Sequence, residues 1–98
     1  MPTTEEPLVL PITQAKPQSE HDSGYAVICW DDPINLMDYV THVFQRVFGW
    51  TKERAEHHMM EVHNNGRSLL VRETLEKAEH FVHQLQSYNL QATMERGE

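Results

Sequence analysis

One cysteine, four glycines and eight lysines and arginines against fifteen acids are the scarcities of this 98-residue chain. A lone cysteine, Cys29, leaves no internal disulfide framework and no four-cysteine zinc site within one chain. It fits a reducing, cytoplasmic location. Four glycines supply no phosphate-cradling loop. No apolar run approaches the about eighteen residues of a membrane span, and the first residues carry acids where a secretory signal is basic. The net charge of −7 and the scatter of Lys52, Arg54, Arg67, Arg72 and Lys77 disfavour nucleic acid, a polyanion. Neither nucleic acid nor membrane is an expected partner. Cationic groups suit this field better: a peptide amino terminus, a basic surface or a metal.

The length fits one domain with a modest core. Residues 1–23 hold four of the five prolines and no aromatic residue, so they read as a flexible N-terminal tail; "PLVLP" within them is a short apolar clip. Residues 24–98 read as the folded domain. "YAVICWD" is rich in β-branched and aromatic residues and ends at the turn signal "DDP", which predicts a first strand. Asn35 is placed to cap a first helix, with Asp38 near its positive end. Val40, Val43, Phe44, Val47 and Phe48 follow helical spacing, and Gly49 suits a left-handed stop. Thr51 caps a second helix with Ala55, Met59 and Val62 on one face, ended by Asn64-Asn65-Gly66. "RSLLV" is a strand or an apolar loop. Thr74 caps a third helix whose apolar stripe is Leu75, Ala78, Val82 and Leu85. "LQATM" alternates as a closing strand. The order β-α-α-β-α-β gives an α+β fold, a small three-stranded antiparallel sheet packed against three helices.

Enzyme chemistry finds little support. Cys29 has the apolar neighbours of an inert packed thiol. Ser68 and Ser87 lack the glycine-bracketed setting of a nucleophile elbow. Asp31 and Asp32 are adjacent, so on a strand end they point in different directions. Seven histidines raise the question of metal, yet there is no HExxH. His57 and His58 diverge on a helix, and His80 with His83 makes only a two-ligand chelate. We expect no catalytic residue, no metal site and no cofactor.

Binding is the remaining class. The segment "WDDPIN" offers carboxylate and amide oxygens, next to Met37 and Val40 one turn apart. The second helix presents Met59, Val62 and His63. If both line one cleft, its walls are apolar and adaptable and its rim accepts hydrogen bonds from an ammonium group. Such a site suits a peptide amino terminus with a bulky first side chain. Spacing alone favours Met37, Val40, Met59 and Val62 as core.

The combination "YAVICWDDPINLMDYV", "MMEVHNNGRS" and the T-x-E-x-A-E run at Thr74, Glu76, Ala78 and Glu79 resembles the ClpS family, from Tyr25 to about Met94. The resemblance implies an adaptor, not an enzyme. Its core would bind N-degrons, proteins beginning with Leu, Phe, Tyr or Trp. It would deliver them to the N-terminal domain of a Clp AAA+ unfoldase, of ClpA or ClpC type, for degradation by ClpP. It gives the 1–23 tail the task of engaging the unfoldase. By the same resemblance Met37, Val40, Met59, Val62 and Leu90 form the hydrophobic pocket, with Met37 as a gate against β-branched side chains. Asp31, Asp32, Asn35 and His63 stand where the α-amino group is held.

The chain departs from the family pattern at the strand exit and in the unfoldase-contact region. Asp31-Asp32-Pro33 replaces the usual Asn-Asp-Asp, putting a full charge at the amide position and a proline where a second acid helps. Phe81 replaces a residue often basic in the unfoldase-contact region. Two other readings stay open: a small histidine-rich metal-binding protein, and a Clp-binding regulator without N-degron recognition.

Overall fold

The computed structural model describes residues 24–96, so the expected tail lies outside the described residues. Six elements follow in order: β1 (Tyr25–Trp30), α1 (Met37–Phe48), α2 (Lys52–Asn65), β2 (Arg67–Glu73), α3 (Leu75–Ser87) and β3 (Gln91–Arg96). The sheet order is β2-β1-β3, and both pairings are antiparallel. The expected α+β fold is present, and "RSLLV" is a strand.

Placing β1 in the middle explains its unbroken apolarity. Val27 and Cys29 join the core shared with the helices, together with Val43, Phe44, Ala55, Met59, Val62, Ala78, Val82 and Leu85. Ala26 and Ile28, on the opposite face, are also buried and share a shallow depression with Arg67, Leu69 and Glu95. The register shifts between Val27 and Ile28, a bulge that adds one residue to β2. Leu70 and Val71 therefore both reach the core. Full burial of a side chain such as Phe44 stabilises the fold by about 1.5–3 kcal/mol.

Helix ends follow local chemistry with one exception. Thr51 and Thr74 accept from the backbone N–H of Arg54 and Lys77 at 3.2 and 3.4 Å. Gly49 and Gly66 stop α1 and α2 at φ 70° and 88°, where a Cβ would be strained. Asn35, however, does not cap α1. The N-cap is Leu36, without a side-chain hydrogen bond, because the Asn35 amide is committed elsewhere. Leu75 also departs from its stripe: as the first residue of α3 it stays 43% exposed, while Ala78, Val82 and Leu85 are buried.

Candidate functional site

Short-range hydrogen bonds shape the turn between β1 and α1. The Asp32 carboxylate accepts from the Ile34 N–H at 2.8 Å and from Asn35 Nδ2 at 3.2 Å, an aspartate-initiated turn with Pro33 inside it. Asn35 Nδ2 also donates to the Asn89 carbonyl at 2.9 Å. Beside it, the Tyr39 hydroxyl donates to the Tyr88 carbonyl at 2.8 Å. These two bonds tie the start of α1 to the end of α3. Asn89 itself turns the chain at φ 69°, a left-handed conformation that asparagine tolerates better than most residues. Leu90 is thereby held, buried, just before β3. On the other side, the Asp31 N–H donates to the Gly66 carbonyl at 2.9 Å. That bond joins the exit of β1 to the stop of α2.

Three separate stretches thus close around one cavity of about 390 Å³. All nine residues singled out from the sequence line it: Asp31, Asp32, Asn35, Met37, Val40, Met59, Val62, His63 and Leu90. Four further residues share the lining that sequence reading did not assign to it: Cys29, Trp30, Pro33 and Leu36. Trp30, Pro33 and Leu36 flank assigned positions, so proximity in sequence was the available signal. For Cys29 the alternation of β1 gave its face but not what that face meets.

The lining divides by polarity. Met59, Val62 and Leu90 are buried walls, Val40 is half-buried, and Met37 stands at the mouth, 44% exposed. Cys29 is only 2% exposed. Its thiol donates weakly to the Trp30 carbonyl at 3.9 Å. Burial above all, and then the charge of Asp32, push this thiol up to about 12, so it stays protonated and has no nucleophilic role. At the rim, Asp31 and His63 are exposed, and neither side chain hydrogen-bonds to a described residue. Asn35 uses its N–H groups, and its Oδ1 accepts from no described residue. A carboxylate, an imidazole and an amide oxygen therefore stand uncommitted beside an apolar cavity. Together they can accept from a cation whose attached side chain is apolar.

Another face of α2 is built differently. His58 Nδ1 lies 2.8 Å from Ser68 Oγ, and that hydroxyl donates to Glu61 Oε1 at 2.6 Å. Since the serine proton points to Glu61, His58 donates through Nδ1. Burial holds His58 below its ordinary value, against the pull of Glu61. The Ser68 hydroxyl in turn lowers Glu61. The His58 ring stacks on Trp50 at 4.6 Å, Trp50 on Phe48 at 4.6 Å, and Phe48 meets Phe81 at 4.8 Å. The Arg54 guanidinium lies 4.4 Å from the Trp50 ring centre. None of this ladder was assigned from sequence, because its members come from three helices and a loop. Phe81, where the family pattern often has a base, is its outermost ring.

Among the described residues, no group of three or more His, Cys, Asp or Glu side chains converges as a metal site. His57 pairs with Glu61 at 3.5 Å, and His58 is occupied by Ser68. No described helix is long and apolar enough to cross a membrane.

Residues 20–94 match the family model described as ATP-dependent Clp protease adaptor protein ClpS. The Clp protease adapter ClpS of Nocardia farcinica is 38% identical over 97 residues, covering 91% of this chain and 92% of that protein. The ClpS of Corynebacterium jeikeium is 40% identical over 94 residues, covering 94% and 93%. That of Mycobacterium tuberculosis is 39% identical over 83 residues, covering 85% and 82%. Among solved structures, Agrobacterium tumefaciens ClpS2 bound to L-phenylalaninamide superimposes with a TM-score of 0.70. At 23% identity, over 74% of this chain and 95% of that one, it shares the fold. The chain belongs to the ClpS family, and is an adaptor of the Clp protease and not an enzyme.

Proposed function

We propose that the cavity receives the first residue of a protein substrate, an N-degron beginning with Leu, Phe, Tyr or Trp. The observation that carries this reading is the set of uncommitted acceptors, Asp31, His63 and Asn35 Oδ1, on the rim of one apolar cavity. A free α-amino group supplies the matching donors, and only a chain terminus carries an ammonium one bond from the Cα that bears the side chain. Asp32 contributes mainly by fixing the turn. Asp31 takes the acceptor role of the amide usual in the family, so its full charge makes binding sensitive to salt. Met37 at the mouth crowds a branched Cβ and rejects Val and Ile. L-phenylalaninamide, which the Agrobacterium ClpS2 holds, has both a free amine and a bulky apolar side chain, and lends the reading chemical support.

In this reading the bound substrate passes to the N-terminal domain of a Clp AAA+ unfoldase of ClpA or ClpC type and on to ClpP. Residues 1–23 serve as the segment that engages the unfoldase, in the cytoplasm. The test is fluorescence anisotropy with three labelled peptides: one beginning with free-amine Phe, its acetylated twin, and one beginning with Val. Binding of the first alone is expected. Equal binding of the acetylated peptide would show that the rim does not read an amine, and no binding of any would remove first-residue recognition altogether.

A further inference from the structure

The proposed pocket has an inner end, and a small residue closes it. Of the side chains lining the cavity, Cys29 is the least exposed, at 2%, against 4% for Leu90, 5% for Val62 and 8% for Met59. Its cross-strand partners on the two neighbouring strands are Ser68 and Ala92, which are small as well. Cross-strand partners point to the same face of a sheet. The middle of the sheet therefore presents a row of three short side chains toward the helices at this level. The Ser68 hydroxyl is already held by Glu61 and His58, so it does not extend into the cavity.

The same wall has a second property. Cys29, Met37 and Met59 put three sulfur atoms around one cavity. Sulfur is polarisable and makes favourable contacts with aromatic rings, often at the ring edge. Leucine gains nothing comparable. Depth and sulfur lining both favour a long, flat side chain over a short branched one.

We infer that Cys29 sets the depth of the pocket and tunes it to aromatic first residues, Trp and Phe ahead of Leu. This inference rests on the first-residue reading above. Cys29 acts here through its size, as a residue that shapes specificity, and no thiol chemistry is involved.

The experiment compares dissociation constants for three peptides that differ only in their first residue, Trp, Phe or Leu. They are measured by anisotropy on the unaltered chain, on Cys29→Leu and on Cys29→Ala. A change of one methylene in an apolar pocket shifts discrimination by about 10- to 200-fold. Cys29→Leu is therefore expected to cut the Trp-over-Leu preference by about tenfold or more, while Cys29→Ala keeps the order. The preference is a ratio within one protein, so a general loss of folded material cancels. Should Cys29→Leu not fold, judged by circular dichroism, Cys29→Val makes the same test with a smaller increment. A Trp-to-Leu ratio left unchanged by the larger side chain, or an unaltered chain that prefers Leu, overturns the inference and leaves the first-residue reading standing. Failure of every free-amine peptide to bind the unaltered chain sinks that reading, and this inference with it.

Discussion

His58 and His63 sit five positions apart on α2 and lead opposite lives. The His58 side chain is 14% exposed, donates to Ser68, and stacks on Trp50. His63 is exposed on the rim of the cavity, and no described residue takes its ring nitrogens. Residue type is the same, and so is the helix. What differs is whether the surrounding fold already satisfies the side chain. A polar group with all its partners inside the protein holds the architecture together. One left unpaired beside an apolar cavity is available to a ligand. By this measure α2 has a closed face, where His58 meets Trp50 and Ser68, and an open face at His63.

The sharpest way to break that contrast is to remove the acceptors at the cavity rim. A hydrogen bond to a charged group is worth about 1.5–3 kcal/mol, so His63→Ala or Asp31→Ala should each weaken a free-amine Phe peptide by about 10- to 100-fold. The double variant should weaken it further, with the thermal midpoint unmoved. Anisotropy and thermal circular dichroism on the same samples read the two effects. Asp31→Asn keeps an acceptor without its charge, so it should lose less affinity and show a shallower dependence on salt. Equal salt dependence before and after would separate Asp31 from the amine.

His58→Ala should do the reverse. It leaves Ser68 without one partner and exposes a face of Trp50, a loss of about 1–2 kcal/mol of stability. For a domain of this size that lowers the melting midpoint by about 4–8 °C per kcal/mol. Urea unfolding measures the loss, while peptide affinity at low temperature should not change. An affinity drop matching that of His63→Ala would mean the two faces are not independent.

Much of this contrast was hidden in the sequence. Thr51, Thr74, Gly49 and Gly66 were legible because capping and stopping are decided by residues within one turn. Met59, Val62 and His63 were legible as a face of one helix, although spacing could not say whether that face met core or cavity. Asn35 misled for the same reason that Thr51 did not: a good local cap was overruled by the Asn89 carbonyl, 54 residues along. Ser68, ten residues from His58, and the rings of Phe81, Phe48 and Trp50 meet only once three helices pack. Cys29 read correctly as buried, but burial in a strand does not distinguish packing from the wall of a cavity. The family resemblance added Leu90 to the grouping of lining residues and favoured pocket over core, which no periodicity in the chain decides.

Met37→Ala should have a smaller consequence, confined to selectivity. With the mouth opened, a peptide beginning with Val or Ile should gain about tenfold in affinity relative to one beginning with Phe. Titrating the three peptides against the variant reads this directly, and unchanged discrimination would remove the gate.

The mildest expected effect is on acid stability. His58 and Glu61 are both held below their ordinary values of 6.5 and 4.5. In each case the unfolded chain takes up a proton at a higher pH than the folded one, so acid favours unfolding. Stability from this network is complete above about pH 6.5 and is lost as pH falls through the folded pKa of first His58 and then Glu61. Ser68→Ala removes the largest cause of the Glu61 shift and should flatten the lower part of that decline. Urea midpoints between neutral and acid pH follow it.

Two tryptophans mark the two sites. Trp30 lines the cavity and Trp50 stacks under His58, and the chain contains no others. The most direct measurement is an NMR titration of the two indole N–H resonances with a peptide beginning with free-amine Phe. Trp30 should shift to saturation while Trp50 stays in place. Movement of Trp50 alone, or of neither, would contradict a first-residue pocket beside His63.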